Sequence, residues 1–242
     1  MTPVHWLAPT VRRGQLCTMP AHPRLTARIH RAASLLALPA LVVLATGATE
    51  PPAIELWNGR DLTGWDLVLR EPAPEGARVT AARPDSVLFV AGRPVGYLVT
   101  LDSFSNYELT AEWRWTSDAP KPNSGFLLHI PAAVPGKVWP TCLQVQLKAG
   151  EAGDLLPMDG FTMAEMPPAG AKGTPHAPGA QEAPAGQWNT CRIVCRGDTV
   201  ECWINGVQAN RATKCSAAAG RIGILLEGAP FEVRHLKLRR LE

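Results

Sequence analysis

No stretch of this 242-residue sequence is long and apolar enough to span a bilayer comfortably. The longest candidate, Ala32 to Ala45, is interrupted by Pro39 and runs to about 14 residues, where a spanning helix needs roughly 20. No cysteine follows that run, which removes the signature of a lipid-modified N-terminus. The cysteine spacings match no zinc-binding pattern, and helical periodicity is almost absent. An excess of basic charge is also missing once residues 1–48 are set aside. The whole chain has 24 Lys and Arg against 21 Asp and Glu; residues 1–48 hold five of the basic ones and none of the acidic, leaving 19 against 21. That balance argues against nucleic acid or an anionic membrane surface as a partner.

What is present begins with an export signature. Arg24, Arg28 and Arg31 form a basic flank, the apolar run follows, and Thr46-Gly47-Ala48 supplies small residues for cleavage. Residues 1–48 therefore read as a signal peptide, with Met19 a possible true start. The expectation is an exported protein, periplasmic or extracellular, with no membrane contact after signal cleavage. Residues 49–242 are then long enough for one well-buried domain. Five of the six cysteines fall there, Cys142, Cys191, Cys195, Cys202 and Cys215. An odd count leaves at least one thiol unpaired even in an oxidising compartment.

That domain is made of short runs with period-2 alternation, punctuated by Gly, Pro, Asn and Asp. Tyr107 to Trp115 alternates cleanly, and Gly197-Asp198 and Asn205-Gly206 are hairpin signals between such runs. Many strands with turns and little helix predict an all-β fold, a sandwich or jelly roll of two antiparallel sheets. Residues 164–186, rich in Pro, Gly and Ala, show no periodicity and read as a flexible loop.

Three strands carry long polar side chains opposite an apolar row. Glu112 and Arg114 share one face. Leu127 and His129 share another, opposite Phe126, Leu128 and Ile130. Gln144, Gln146 and Lys148 oppose Leu143, Val145 and Leu147, with Asp154 in the turn beyond and Glu227 ending a later strand. Gln, Arg and Glu offer paired hydrogen-bonding groups suited to vicinal sugar hydroxyls, and His129 titrates near neutrality. His129, Glu112 and Glu227 could also converge as N/O ligands for a divalent metal; the sequence assigns no cofactor. Trp139, in a Pro-flanked loop, is a candidate platform for stacking on a sugar ring.

Several segments resemble the 3-keto-disaccharide hydrolase family, also described as 3-keto-glucoside 1,2-lyases and 3-keto-2-hydroxyglucal hydratases. They are Leu56-Trp57-Asn58-Gly59-Arg60-Asp61-Leu62-Thr63-Gly64-Trp65, Asn123-Ser124-Gly125-Phe126, and Cys142 to Lys148 followed by Ala152-Gly153-Asp154. Gly186-Gln187-Trp188, Ile204-Asn205-Gly206 and Gly220-Arg221-Ile222-Gly223 continue the series, with Glu227-Gly228 after them. The resemblance implies a concanavalin A-like jelly-roll sandwich of the lectin/glucanase type. It implies an exported lyase or hydrolase that cleaves an oxidised glycoside by elimination and hydration. On that footing His129 is the base or acid, Glu112 polarises it or binds a hydroxyl, and Glu227 is a second acid. Arg114 and Lys148 stabilise an enolate oxygen, while Gln144 and Gln146 orient the sugar and Asp154 and Trp139 contact it. The sequence departs from the family pattern at Gln144, where Glu is usual, at Leu225, where Gln is common, and at His129, where Arg is frequent. Gln144 keeps a second reading open, a non-catalytic carbohydrate-binding module of the same fold.

Overall fold

The computed structural model describes residues 51–116, 122–132 and 136–242. The export signature at residues 1–48 lies outside them. The first strands are β1 (Ile54–Glu55), β2 (Trp65–Leu69), β3 (Thr80–Arg83), β4 (Val87–Val90) and β5 (Gly96–Thr100). β6 (Phe104–Ser105), β7 (Tyr107–Trp115), β8 (Gly125–Ile130), β9 (Cys142–Gln146) and β10 (Leu155–Met158) follow. The C-terminal strands are β11 (Asn189–Arg196), β12 (Thr199–Ile204), β13 (Val207–Ala212), β14 (Ala219–Leu226) and β15 (Phe231–Arg240). They form two antiparallel sheets, the expected jelly-roll sandwich. The first runs β13-β12-β11-β7-β15-β4-β3 with β1 on β15, and the second runs β10-β9-β8-β14-β5-β2 with β6 on β14.

Alternation places the core. Along β7 every odd-numbered residue from Tyr107 to Trp115 is buried and every even-numbered one is half-exposed, as a strand with one face on a core requires. Trp113, Tyr107 and Phe231 from the first sheet share a core with Phe126, Leu128, Leu143 and Val145 from the second. The turn Asn205-Gly206 joins β12 to β13 with both residues at positive φ, 49° and 81°, the geometry that two-residue hairpins favour. The opening motif is structural: the Trp57 indole donates to the Ser86 carbonyl at 2.9 Å and that of Trp65 to Leu56 at 2.7 Å. Between them Asn58 and Asp61 cap the intervening turn. All five cysteines among the described residues are free and buried.

One expectation fails here. His129 does not share a face with Leu127. β8 pairs with β14 through Leu127↔Gly223 and Ile130↔Arg221, so Leu128 and His129 together oppose the single residue Ile222. This is a β-bulge, and His129 occupies it at φ 61°. The extra residue breaks the alternation, turning the His129 ring inward to meet Tyr107 edge-on at 6.3 Å. Gly220 makes the bulge possible, because a Cβ there would lie 2.4 Å from the His129 carbonyl carbon. The ring is 1% exposed and neither nitrogen has a well-formed hydrogen bond. Burial drives its pKa down to about 4, with the Ala217 backbone pulling weakly the other way.

That placement has a pH consequence. Unfolded chains protonate His129 below about 6.5 while the folded ring stays neutral down to about 4. Its contribution is therefore fully present above pH 6.5 and is lost as pH falls towards 4, to the extent of about 3 kcal/mol. His129→Leu should remove that component. Urea unfolding at pH 7.5, 5.5 and 4 should show the variant gaining on the parent as pH falls. Parallel losses in the two proteins would contradict the buried, neutral ring.

Candidate functional site

A cleft of about 500 Å³ opens on the outer face of the second sheet, beside β9 and β10. Gln144 and Gln146 form its floor, with Asn123, Lys148, Asp154 and Glu227 around them and Trp139 at the rim. Burial of Leu143, Val145 and Leu147 between the sheets sends the two glutamines to the opposite face. Both are only 3% exposed, so their amides must be satisfied and oriented. The Gln146 Oε1 accepts from the Leu147 and Lys148 backbone N–H groups at 3.0 and 3.1 Å and from Gln144 Nε2 at 3.0 Å. Three donors on one oxygen fix which end of the amide is which. Among the described residues, the Gln146 amide N–H pair and the Gln144 carbonyl remain unengaged, one donor group and one acceptor beside each other.

The Asn123-Ser124-Gly125 turn assembles the rest. Ser124 Oγ donates to the Leu225 carbonyl at 2.7 Å, and the Ser124 carbonyl accepts from the Leu147 N–H at 3.0 Å. The turn is thereby clamped between the ends of β14 and β9. Asn123 Nδ2 donates to Glu227 Oε2 at 2.9 Å, which holds that carboxylate at the cleft. Gly125 lies opposite Gln146 in register, and a Cβ there would sit 2.8 Å from Gln144 Cγ and Nε2. Its missing side chain is the space Gln144 fills. Lys148 pairs with Glu151. Asp154 Oδ1 accepts from the His176 backbone N–H at 2.8 Å and faces His176 Nδ1 at 2.5 Å. Trp139 is 42% exposed, with the Arg70 guanidinium 4.3 Å above its ring.

Six of the nine expected residues, Gln144, Gln146, Lys148, Asp154, Glu227 and Trp139, thus meet in one cleft. Glu112 and Arg114 do not. β7 belongs to the first sheet, and the chain crosses to the second between Trp115 and Gly125, so these two side chains lie on the far side of the sandwich. There Glu112 Oε2 accepts from Arg234 Nε at 2.7 Å, and Oε1 lies 3.1 Å from His235 Nδ1. Desolvation works to raise the Glu112 pKa, but hydrogen bonds from His235 and Arg234 outweigh it and hold the carboxyl below its ordinary value. Arg114 pairs with Glu232 at 2.6 Å and covers the Trp188 ring at 4.4 Å. A larger recess of about 620 Å³ adjoins Glu112. Its charged groups satisfy one another or close neighbours: Glu112 with Arg234, Arg192 with Glu108, Lys237 with Glu55. The smaller cleft differs in keeping hydrogen-bonding groups unengaged among the described residues, the Gln146 amide N–H pair and the Gln144 carbonyl, beside Asp154 and Glu227. The expected metal set dissolves with the same geometry. His129 is in the core, Glu112 on the first sheet and Glu227 in the cleft, and among the described residues no three His, Cys, Asp or Glu side chains converge.

His176 is the residue that sequence reasoning missed. It lies in the Pro-rich segment 164–186, which carries no strand but is laced to the sheets. Thr174 and Leu155 exchange two backbone hydrogen bonds, Ala177 N–H donates to the Ala209 carbonyl, and Glu165 accepts from the Thr213 N–H and hydroxyl. No periodicity marks a residue held this way.

The Gly125 argument is testable by a double-mutant cycle. Gly125→Ala should cost about 1–3 kcal/mol by overpacking, and Gln144→Ala in the same background should recover part of that loss. Strictly additive losses in denaturant unfolding would show that the two positions do not compete for the same space.

The model of a family described as the 3-keto-alpha-glucoside-1,2-lyase-like domain matches residues 52–239. Among curated proteins none matches. A candidate glycosyl hydrolase from Parabacteroides distasonis ATCC 8503 shares 19% identity over 78% of this chain and 94% of its own, with a TM-score of 0.58. A second from the same organism shares 17% identity over 78% of this chain and 100% of its own, at a TM-score of 0.54. A carbohydrate binding module from Bacillus subtilis shares 8% identity over 73% of this chain and 95% of its own, at 0.53. At these identities the likeness is one of fold.

Proposed function

The chain belongs to the 3-keto-alpha-glucoside-1,2-lyase-like family, and from that footing we propose that its cleft binds an oxidised glycoside and cleaves it by elimination and hydration. The observation that carries the reading is the pinned Gln146 amide, which leaves a donor and an acceptor in the cleft that Asp154 and Glu227 also line. Such a floor suits the vicinal hydroxyls of a pyranose.

The chemistry follows from the substrate. A ketone at C3 acidifies the C2 proton, so a carboxylate can remove it. Asp154 takes that proton, and Lys148 stabilises the charge that develops on the C3 oxygen. The C1–O bond then breaks, its electron pair leaving with the aglycone oxygen, which solvent protonates, and C1=C2 forms. Glu227 activates a water that adds to C1 as a proton returns to C2, completing a net hydrolysis. Gln144 and Gln146 hold the ring hydroxyls, and Trp139 stacks on the sugar at the rim. His129 and Glu112 take no part. Export of the chain to the periplasm or beyond is part of the same proposal and rests on the signature in residues 1–48.

One observation favours a second reading. Gln144 stands where the family usually has Glu, which removes an acid from the floor and suits a carbohydrate-binding module that kept the fold without the chemistry. The two readings separate on a 3-keto-glucoside. Turnover followed by glycal absorbance should fall at least about 100-fold in Asp154→Asn, while Trp139→Ala should act mainly on KM. Saturable binding by calorimetry without any product from the parent protein would move the assignment to the binding module.

A further inference from the structure

The proposed base does not stand alone. Asp154 Oδ1 receives two groups of one residue, the His176 backbone N–H at 2.8 Å and the ring Nδ1 at 2.5 Å. A carboxylate offers only acceptors, so Nδ1 carries the proton of that contact. Both side chains are largely withdrawn from solvent, at 21% and 14% exposure, where a short charge-assisted bond of this kind is strong. Among the described residues Oδ2 has no hydrogen-bond partner, and Asp154 lines the cleft. The carboxylate is therefore oriented, with one oxygen held and the other presented.

The holder is itself held. Thr174 exchanges two backbone hydrogen bonds with Leu155, at 2.8 and 3.0 Å, immediately after Asp154. Asn210 Nδ2 donates to the Thr174 and Pro175 carbonyls at 2.9 and 3.1 Å and reaches the Gly153 carbonyl at 3.3 Å. Ala177 N–H donates to the Ala209 carbonyl at 2.7 Å. Residues 174–177 are thus stapled on both sides to the strand that follows Asp154 and to β13. Gly153 completes the fit, since a Cβ there would come 3.4 Å from His176 Cβ and 2.5 Å from that of Ala209. A backbone hydrogen bond from residue 176 could be made by any amino acid except proline; the ring contact requires a side-chain donor at this one position.

We infer that His176 is a positioning residue for Asp154, delivered by the Pro-rich segment to fix the carboxylate that faces the cleft. The inference rests on the proposed lyase reading, in which Asp154 takes the C2 proton. A base misaimed by a fraction of an ångström loses rate without losing substrate, so the loss should fall on kcat. Asn at 176 can place an amide N–H where Nδ1–H now sits, and Ala cannot.

The test uses the full chain and a 3-keto-glucoside. His176→Ala should lower kcat about tenfold or more with KM within about threefold, measured at a temperature well below the melting point of both proteins. His176→Asn should restore most of that rate. In an Asp154→Asn background, His176→Ala should cost nothing further. Equal rates in the parent and His176→Ala, or an Asn variant no better than Ala, would overturn the inference while leaving the lyase reading intact. Full activity in Asp154→Asn would instead overturn the assignment of Asp154 as the base, and the inference with it, whereas no turnover by the parent would overturn the lyase reading itself. A readout apart from turnover is the His176 Nδ1 proton in an NMR spectrum of the 15N-labelled chain. It should be protected from exchange and should lose that protection in Asp154→Ala, which removes the acceptor; its absence from the parent would end the inference. If that proton is present in a chain that binds sugar without turnover, the pairing stands but its catalytic purpose is overturned.

Discussion

Burying Leu143, Val145 and Leu147 in one row fixes everything that the cleft contains. Each such side chain contributes about 1.5–3 kcal/mol when fully buried, and a slip of one residue would expose all three while burying Gln144, Gln146 and Lys148. The register of β9 is therefore strongly specified, and with it the direction of the two glutamines. The rest of the site is built outward from that strand. Backbone N–H groups just beyond β9 orient Gln146, the absent side chain of Gly125 makes room for Gln144, and the Ser124 clamp brings Glu227 alongside.

The two outer faces of the sandwich then differ in kind. On the first sheet, Arg and Glu alternate across neighbouring strands, as in the pairs Glu232↔Arg114 and Arg234↔Glu112. Guanidinium groups lie over Trp188, Trp203 and Phe89 on the same surface. Partly exposed pairs of this sort contribute little each and turn the charges of Glu112, Arg114, Arg234 and Glu232 towards one another. The second sheet is divided. Tyr97, Val99, Leu127 and Leu225 form an apolar cluster towards β5 and β14, and the polar cleft takes the side of β9 and β10. Leu225, where the family commonly has Gln, belongs to the apolar part, so the polar surface is concentrated around Gln144 and Gln146.

Much of this was legible in the sequence because strands have a period of two. The clean alternation of Tyr107 to Trp115 and of Cys142 to Lys148 predicted which side chains point between the sheets, and the structure agrees, although Gln144 and Gln146 on the opposite face are buried as well. What alternation cannot say is which sheet a strand joins. Glu112 and Gln144 look equivalent along the chain, yet lie on opposite faces because the chain changes sheets between them. His129 was misplaced for a different reason. A bulge shifts the count by one, and the residues that permit it, Gly220 above all, lie some ninety positions away. His176 was invisible because the residues on either side of it are held by hydrogen bonds with Asn210, Leu155 and Ala209, and none of these leaves a local pattern in a Pro-rich segment.

The central claim is that sugar is met by the cleft on the second sheet and not by the ion-paired face of the first. A crystal structure with a non-cleavable C-linked analogue of a 3-keto-glucoside tests this directly. The account predicts the ring over Gln144 and Gln146, with its C2 hydrogen towards Asp154 Oδ2. An analogue seated instead beside Glu112 and His235 would contradict it.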